Sequence, residues 1–496
     1  MQHPDRKDHF TQLLSGESES DKPTSPAVNK VLWGVIAYLV IQFGIGIYVS
    51  RRIRTESDYI VAGRRLGYGL ATFTIFATWF GAETTIGSAG AVYQSGLSGA
   101  TSDPFGYAVC LFLMGLVFAV PLWRMKLTTL ADLFRDRFSP GVEKLAVLLM
   151  VPTSLLWAAA QVRAFGQVLS ASSGLGVSIT ITIAAGIVIA YTAFGGMLAD
   201  AWTDLVQGIA LIIGLVVLFG AMLYQSGLEP FLAIPTGRLD PFANGASPLV
   251  ILEEWAIPIC GSVVAAELVS RIISARSPEI ARRSSLLAGG GYLLFGLIPV
   301  AIGLAGSVMM PGLEHPEQIL PLLGQRFLPG ALYIILAGAL ISAILSTVDT
   351  TLLVCSSLVS HNIVVAARPQ MSERAKVRTA RGGVVIFGIV AYIIALHAEG
   401  VYALVEEASS FGSSGIFTVV TLGVFTRWGG ALAATASLLA GVATWIAGAY
   451  VADVEFPYLI SLLAAFAAYA VVALVTGRGA RLRSAADSAR LSADAA

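Results

Sequence analysis

The sequence predicts an all-α polytopic membrane protein of about thirteen transmembrane helices, on three observations. Of 496 residues, 56% are hydrophobic and only 12% charged, against roughly 25% charged in a soluble globular chain. Mean hydropathy is +0.77. Apolar runs of about twenty residues recur from residue 31 to residue 476, each long enough to cross about 30 Å of hydrocarbon. A formal net charge of zero says nothing about partners, because the charges are segregated along the chain.

Residues 1–30 are polar, rich in Ser, Asp, Glu and Pro, and lack the apolar core of a cleavable signal peptide. They read as a disordered tail. The spans follow at about 31–50, 68–94, 104–123, 145–170, 175–195, 200–224, 249–272, 285–309, 329–362, 379–398, 402–426, 429–452 and 457–476, and residues 477–496 form a second polar tail. An amphipathic lead, EQILPLLGQRFLPG, lengthens the ninth. The three cysteines, Cys110, Cys260 and Cys355, are widely spaced inside apolar runs and read as packing residues.

Loop charges set the orientation. One face receives 24 basic residues, in groups beginning at Arg51, Arg124, Arg271, Arg368, Arg427 and Arg478. The other has Arg238 and Arg326 in its loops, with four more basic residues in the N-terminal tail. The expected placement is the plasma (inner) membrane, N-terminus outside and C-terminus cytoplasmic, which an odd number of spans fits.

Span two, FATWFGAETTIGSAGA, holds Gly81, Gly87 and Gly90 around Glu83. Five spans later, EEWAIPICGSVVAAELVSR carries Pro258 and Gly261, with Glu267 beyond. An offset of five reverses membrane direction, so residues 68–224 and 249–426 read as inverted repeats, each opening with an interrupted helix. Gly and Pro are also common in membrane helices at large, and spacing alone does not choose between these readings.

Two more stretches narrow the field. YTAFGGMLADAWTDLVQGI places Asp200 and Asp204 on one helical face. GALISAILSTVDTTLLVCSSLVSHNI sets Ala343, Ser346, Thr347 and Thr350 in one helical stripe beside Asp349. Together with ATWFGAETTIG, these resemble the sodium:solute symporter family, whose members move sugars, proline, choline, sialic acid and other small solutes. The patterns GGxxAxxWTDxxQ and SAxxSTxDTxLLxxSS are specific, and the resemblance runs over about residues 31–476. It implies a leucine-transporter-type five-plus-five inverted repeat, with one helix before it and two after.

The resemblance also implies sites. A sodium ion would be held by the carbonyls of Ala77, Phe80 and Ala343 and the hydroxyls of Ser346 and Thr347, and sodium is the coupling ion. The other reading of Ser346 and Thr347 is ordinary interhelical hydrogen bonding. Some members hold a second cation, and the matching positions are Asp204, Ser346, Asp349 and Thr350. The alternative there is a solvated helix cap at Asp204 and an Arg partner for Asp349. The solute is expected near the midplane. Its candidate lining is Trp79, Glu83, Thr84, Asp103, Tyr107, Trp157 and Gln161, completed by Trp255, Glu267, Glu407 and Phe411. Trp79, Tyr107 and Trp157 match aromatic positions of the choline-transporting branch, where rings hold a quaternary ammonium. That branch has a further Trp where this chain has Ala265, which points away from choline. Glu83 has a second reading, an internal ion pair with Arg163.

The expected activity is sodium-coupled import of a small polar solute, with an amine-bearing or zwitterionic one favoured. A proton-coupled carrier and a sensor without net transport are the alternatives. An appended signalling domain would favour a sensor, and about twenty residues follow the last span. The five His are not clustered and no nucleophile–base motif stands out, so an enzyme is not expected. Nor is an organic cofactor, a nucleic-acid partner or an obligatory protein partner. The expected partners are the solute, sodium and the lipid bilayer. With the endogenous cysteines removed, single cysteines at Ser18 and Ser484 should label from opposite faces of intact cells. Labelling of both from one face contradicts the thirteen-span reading.

Overall fold

The computed structural model describes residues 54–194, 197–242, 245, 247–398 and 400–493, with isolated positions 33, 40, 44 and 48. The N-terminal tail and the first expected span therefore lie outside the described residues. The described elements are helices joined by turns and short loops. Among the described residues the only β-type pairing is the isolated bridge between Leu66 and Ala275.

The elements used below are α1 (Glu56–Val61), α2 (Tyr68–Trp79), α3 (Ser88–Ser95), α4 (Tyr107–Leu113), α5 (Ala119–Arg124), α6 (Ala131–Arg137) and α7 (Pro140–Ser173). There follow α8 (Val177–Phe194), α9 (Met197–Ser226), α10 (Pro248–Ala256), α11 (Ala266–Ser274), α12 (Pro278–Met309) and α13 (Ile319–Phe327). The last are α14 (Gly330–Val359), α15 (Glu373–His397), α16 (Val401–Ser410), α17 (Ser413–Phe425), α18 (Ala431–Ile446) and α19 (Pro457–Ala493).

Among the described residues, eight helices are long and apolar enough to cross a membrane, and two bent pairs raise that to ten. The sequence reading puts more spans than this in the same region, for two reasons. The apolar part of α8, Val177–Ala193, is shorter than the eight. The second half of the interrupted second span also runs on into the third, so that Glu83–Arg124 counts once. That stretch is not straight. Gly96 takes φ +73° and Asp103 sits at φ −132°, ψ 120°.

Three interruptions shape the interior. The first lies between α2 and α3, where Phe80 (φ −83°, ψ 58°) ends the helix and a π-turn, Glu83–Gly87, restarts it. The second is a π-turn at Ile257–Gly261 followed by extended Ala265 (φ −60°, ψ 133°), bending α10 against α11 by 41°. The third was not read in the sequence. Span eleven is two helices, α16 and α17, bent by 42° at Phe411 and Gly412, the latter with φ +66°. A left-handed glycine ends a helix cheaply, and FGSS carries that signal in the middle of an otherwise apolar run.

The centre is α14. Its span is 78% buried, against 22% for Pro457–Thr476. It packs on α7, α9, α15 and the broken α2, while α7 also holds α8 and α16. At one end of α14, Asn362 donates to Asp132 at 2.9 Å and to Glu143 at 2.7 Å, and accepts from Thr129 at 2.7 Å. Arg135 closes the same cluster on Asp132 at 3.0 Å. Burial opposes ionisation of Asp132, yet bonds from His361, Thr129 and Thr128 outweigh it and hold the carboxyl at about 2.

Close approach, rather than flexibility, explains Gly81. A Cβ there would run into the Thr347 hydroxyl and come within 3.1 Å of Gln161 Oε1 and Glu83 Oε2. Gly81→Ala should therefore destabilise the protein by roughly 1–3 kcal/mol through overpacking, read as a lower Tm in detergent. Gly69→Ala, where a Cβ meets nothing within 4 Å, should leave Tm unchanged.

Candidate functional site

The last carbonyls of a helix have no intrahelical amide to bind. At the end of α2 the Thr347 hydroxyl of α14 fills part of that gap, lying 3.3 Å from the carbonyls of Ala77 and Thr78 and from its own Ala343 carbonyl. Phe80 caps the same helix, its ring stacked on Phe76 at 4.7 Å. The structure thus brings Ala77, Ala343 and Thr347 together beside the break. Ser346 is turned towards α9, where its hydroxyl donates to Asp204.

The residues of the expected second cation position do not converge on one point. Asp204 accepts from Ser346 and Thr74, while Asp349 accepts from Thr192. The Thr350 hydroxyl donates to Asp200 at 3.0 Å. A guanidinium stands among them. Arg271 Nη2 lies 2.5 Å from Asp200 and 3.5 Å from Asp204, and also contacts Thr350, while Nε donates to Thr78 at 3.1 Å. Arg271 was counted with the loop cations, but it is fully buried. Nor is Asp204 a solvated cap, since it too is fully buried. The short helix α11 after the second break explains both, because it carries Arg271 inward to the aspartates of α9.

On the other side of the break lies an aromatic cage. Trp79 and Trp157 meet edge to face with centroids 5.2 Å apart, and Tyr107 tilts against Trp157 at 6.4 Å. All three are buried. Glu83 enters this cage from the π-turn. Its Oε2 accepts from Gln161 at 2.7 Å, and Gln161 in turn accepts the Ala82 amide at 3.1 Å. Glu83 Oε1 makes no hydrogen bond of normal geometry among the described residues, although the Trp157 indole N–H approaches the carboxylate. Asp103 accepts from Thr84 at 2.8 Å and from Tyr292 at 2.9 Å, leaving its Oδ1 unpartnered as well. Tyr292, on α12, was missed by sequence reasoning, and its only signal is a lone tyrosine in GGGYLLFG.

The remaining candidates lie apart from the cage. Glu267 accepts from Ser154 at 2.6 Å, in a small cavity bordered by Thr153, Gly261, Ala265 and Ser413. Glu407 accepts from Tyr450 at 2.5 Å, and Phe411 meets Trp445 edge to face at 5.7 Å. Trp255 is half-buried on α10. The Tyr107 and Ser409 hydroxyls, 3.1 Å apart, link α16 to the cage, and Thr153 of α7 donates to the Phe411 carbonyl at 3.1 Å. Arg163 does not pair with Glu83. Its Nη1 donates to the Ala395 carbonyl at 3.2 Å, and its side chain borders a cavity of about 490 Å³ with Gly87, Gln167, Glu317 and Glu406.

Because Arg271 is the counter-charge of two buried aspartates, Arg271→Met should cost about 3–5 kcal/mol through uncompensated buried charge. The expected result is a sharp fall in folded, monodisperse protein. Wild-type yield and Tm in that variant would show that the aspartates do not depend on the guanidinium.

Residues 59–441 match the description "Sodium:solute symporter family". The chain is 26% identical over 408 residues to high-affinity choline transporter 1 of Caenorhabditis elegans, covering 75% of this chain and 70% of that protein. To the human high affinity choline transporter 1 it is 27% identical over 442 residues, covering 84% and 76%. To the sodium/pantothenate symporter of Escherichia coli it is 25% identical over 369 residues, covering 69% and 74%. The chain spans 62–76% of the length of the choline transporters it matches. Among solved structures, a substrate-bound, outward-open Na+-coupled sialic acid symporter shares the fold with a TM-score of 0.80. Identity there is 19%, over 90% of this chain and 97% of that one. With a match across well over half its length, this chain belongs to the sodium:solute symporter family.

Proposed function

We propose that the chain is a sodium-coupled secondary active symporter importing a small amine-bearing solute, cationic or zwitterionic, by alternating access. One observation carries the solute class. Glu83 is a fully buried carboxylate, held by Gln161 and approached by the Trp157 indole, with no ion pair to a basic side chain among the described residues, and it sits within an aromatic cage. A buried charge without a partner is expensive, and an ammonium group against Trp79, Trp157 and Tyr107 offsets that cost by Coulomb and cation–π attraction. The choline transporters among the relatives support the same class. Ala265, in place of the branch's further Trp, fits a solute other than choline.

Sodium would be held by the carbonyls of Ala77, Phe80 and Ala343 with the hydroxyls of Ser346 and Thr347, pinning the broken end of α2 to α14. That ties sodium occupancy to the position of Trp79 and Glu83, which follow directly in the chain. The cavity bordered by Gly87 and Arg163 lies one turn beyond Glu83 and is the proposed access from outside. The thirteen-span, five-plus-five arrangement in the plasma membrane, N-terminus outside, belongs to the same proposal.

A thermal-shift screen of cationic, zwitterionic and anionic solutes, in sodium and in potassium, should select an amine-bearing one in sodium. Uptake of that solute into proteoliposomes should require an inward sodium gradient. Trp157→Leu should lower its apparent affinity roughly thirty-fold, the equivalent of about 2 kcal/mol. Glu83→Gln should weaken the solute and spare sodium, and Thr347→Ala should raise the sodium half-saturation several-fold. A transported solute without positive charge would end the amine assignment.

A further inference from the structure

We infer that the solute is an aliphatic diamine, with one ammonium group at Glu83 and the other at Glu267, and that Ala265 is the small residue that makes room for the second. The inference rests on the amine reading above and extends it from one carboxylate to two.

Helix α7 sets the two positions. Gln161 donates to Glu83 at 2.7 Å, and Ser154 donates to Glu267 at 2.6 Å. Ser154, Trp157 and Gln161 stand at i, i+3 and i+7 on that helix, so they share a face. The two residues that hold the carboxylates are about two turns apart, on the order of 10 Å along the axis, with Trp157 between them. Glu267 is buried, and its donors are the Ser154 hydroxyl and its own backbone amide, both neutral. No salt bridge reaches it among the described residues, and the guanidinium of Arg271, the one cation on α11, is spent on Asp200 and Asp204. A single ammonium at Glu83 therefore leaves a second buried carboxylate without a counter-charge. A second cationic group on the same solute removes that cost.

The cavity beside Glu267 selects the kind of cation. Its volume is about 20 Å³, room for one water-sized group. A primary ammonium is of that size, and a trimethylammonium is not. The hydroxyls that border the cavity have their protons committed elsewhere. Ser154 donates to Glu267, Thr153 to the Phe411 carbonyl at 3.1 Å, and Ser413 to the Ser409 carbonyl at 2.6 Å. Those side chains are left with oxygen lone pairs and a carboxylate, which accept and do not donate. An ammonium group brings three donors, where a hydroxyl brings one. Ala265 borders the same cavity, at the position where the choline-transporting branch carries a further Trp. An indole there would fill the space, and a methyl group leaves it open. The apolar middle of the diamine then lies along Trp157, about one turn from each end.

The test is calorimetric titration of the purified full chain, in sodium, with cadaverine and with n-pentylamine, which has the same carbon chain and lacks the second ammonium. Cadaverine should bind roughly tenfold tighter or more, as a charge-assisted contact is worth. Ethylenediamine, too short to span two turns, should bind no better than ethylamine. Glu267→Gln keeps the size and the bond from Ser154, and it should bring the cadaverine-to-pentylamine affinity ratio to about one. Ala265→Trp should do the same by filling the space, so the result does not hang on one variant. Glu83→Gln should weaken both amines together. Pentylamine binding as tightly as cadaverine in wild type would overturn the inference and leave the amine reading standing. A cadaverine advantage that survives both Glu267→Gln and Ala265→Trp would overturn it too. Binding of neither amine in sodium would overturn both readings.

Discussion

An α-helix that stops inside the hydrocarbon layer leaves carbonyl oxygens without amides, and no lipid can replace them. The arrangement around residues 77–87 follows from that constraint. The Thr347 hydroxyl faces the freed carbonyls on one side of α2, and Thr84 and Tyr292 face Trp79 on the other. Gly81 is a glycine because Thr347, Gln161 and Glu83 come close to it. The enclosure of α14 follows too, since the helix that answers the break must be surrounded by the elements it holds together. Polar atoms at this depth are sustained only within protein.

The interior charges fall into two kinds. Arg271 is matched by Asp200 and Asp204 and held by Thr78 and Thr350, a closed set with its counter-charge built in. Removing any member leaves a buried charge without its complement. Glu83 and Asp103 are the opposite case. Each has hydrogen-bond donors on one oxygen, and neither has a basic side chain paired with it among the described residues. The first set reads as architecture. The second reads as a place whose counter-charges arrive from solution.

The helical class, the break at Glu83 and the stripe on α14 were legible because each is written locally. Long apolar runs, glycines flanking a buried acid, and residues at i, i+3, i+4 and i+7 need no knowledge of the fold. The association of Trp79, Glu83, Tyr107, Trp157 and Gln161 was legible only through the family resemblance, as their elements are far apart in the chain. Tyr292 and Arg271 were not legible. Tyrosine is ordinary in a membrane helix, and an arginine at the end of an apolar run looks like a loop cation until the second break turns it inward. Glu407 and Phe411 of span eleven stand in the candidate lining through the family resemblance. The bend at Gly412 and the partners Tyr450 and Trp445 place them in a neighbouring cluster instead.

The absence of a built-in counter-charge for Glu83 and Asp103 bears on how membrane voltage acts. On the proposed filling, an ammonium beside Glu83 and the sodium ion at Thr347 together balance the two carboxylates, so the loaded centre would cross the field with little net charge of its own. The empty centre would carry both negative charges. Each charge moved through the full field is worth about 2.3 kcal/mol per 100 mV. An inside-negative potential then pushes the unloaded carboxylates outward. Voltage would act chiefly on the return stroke, resetting the vacant carrier towards the side where sodium is plentiful.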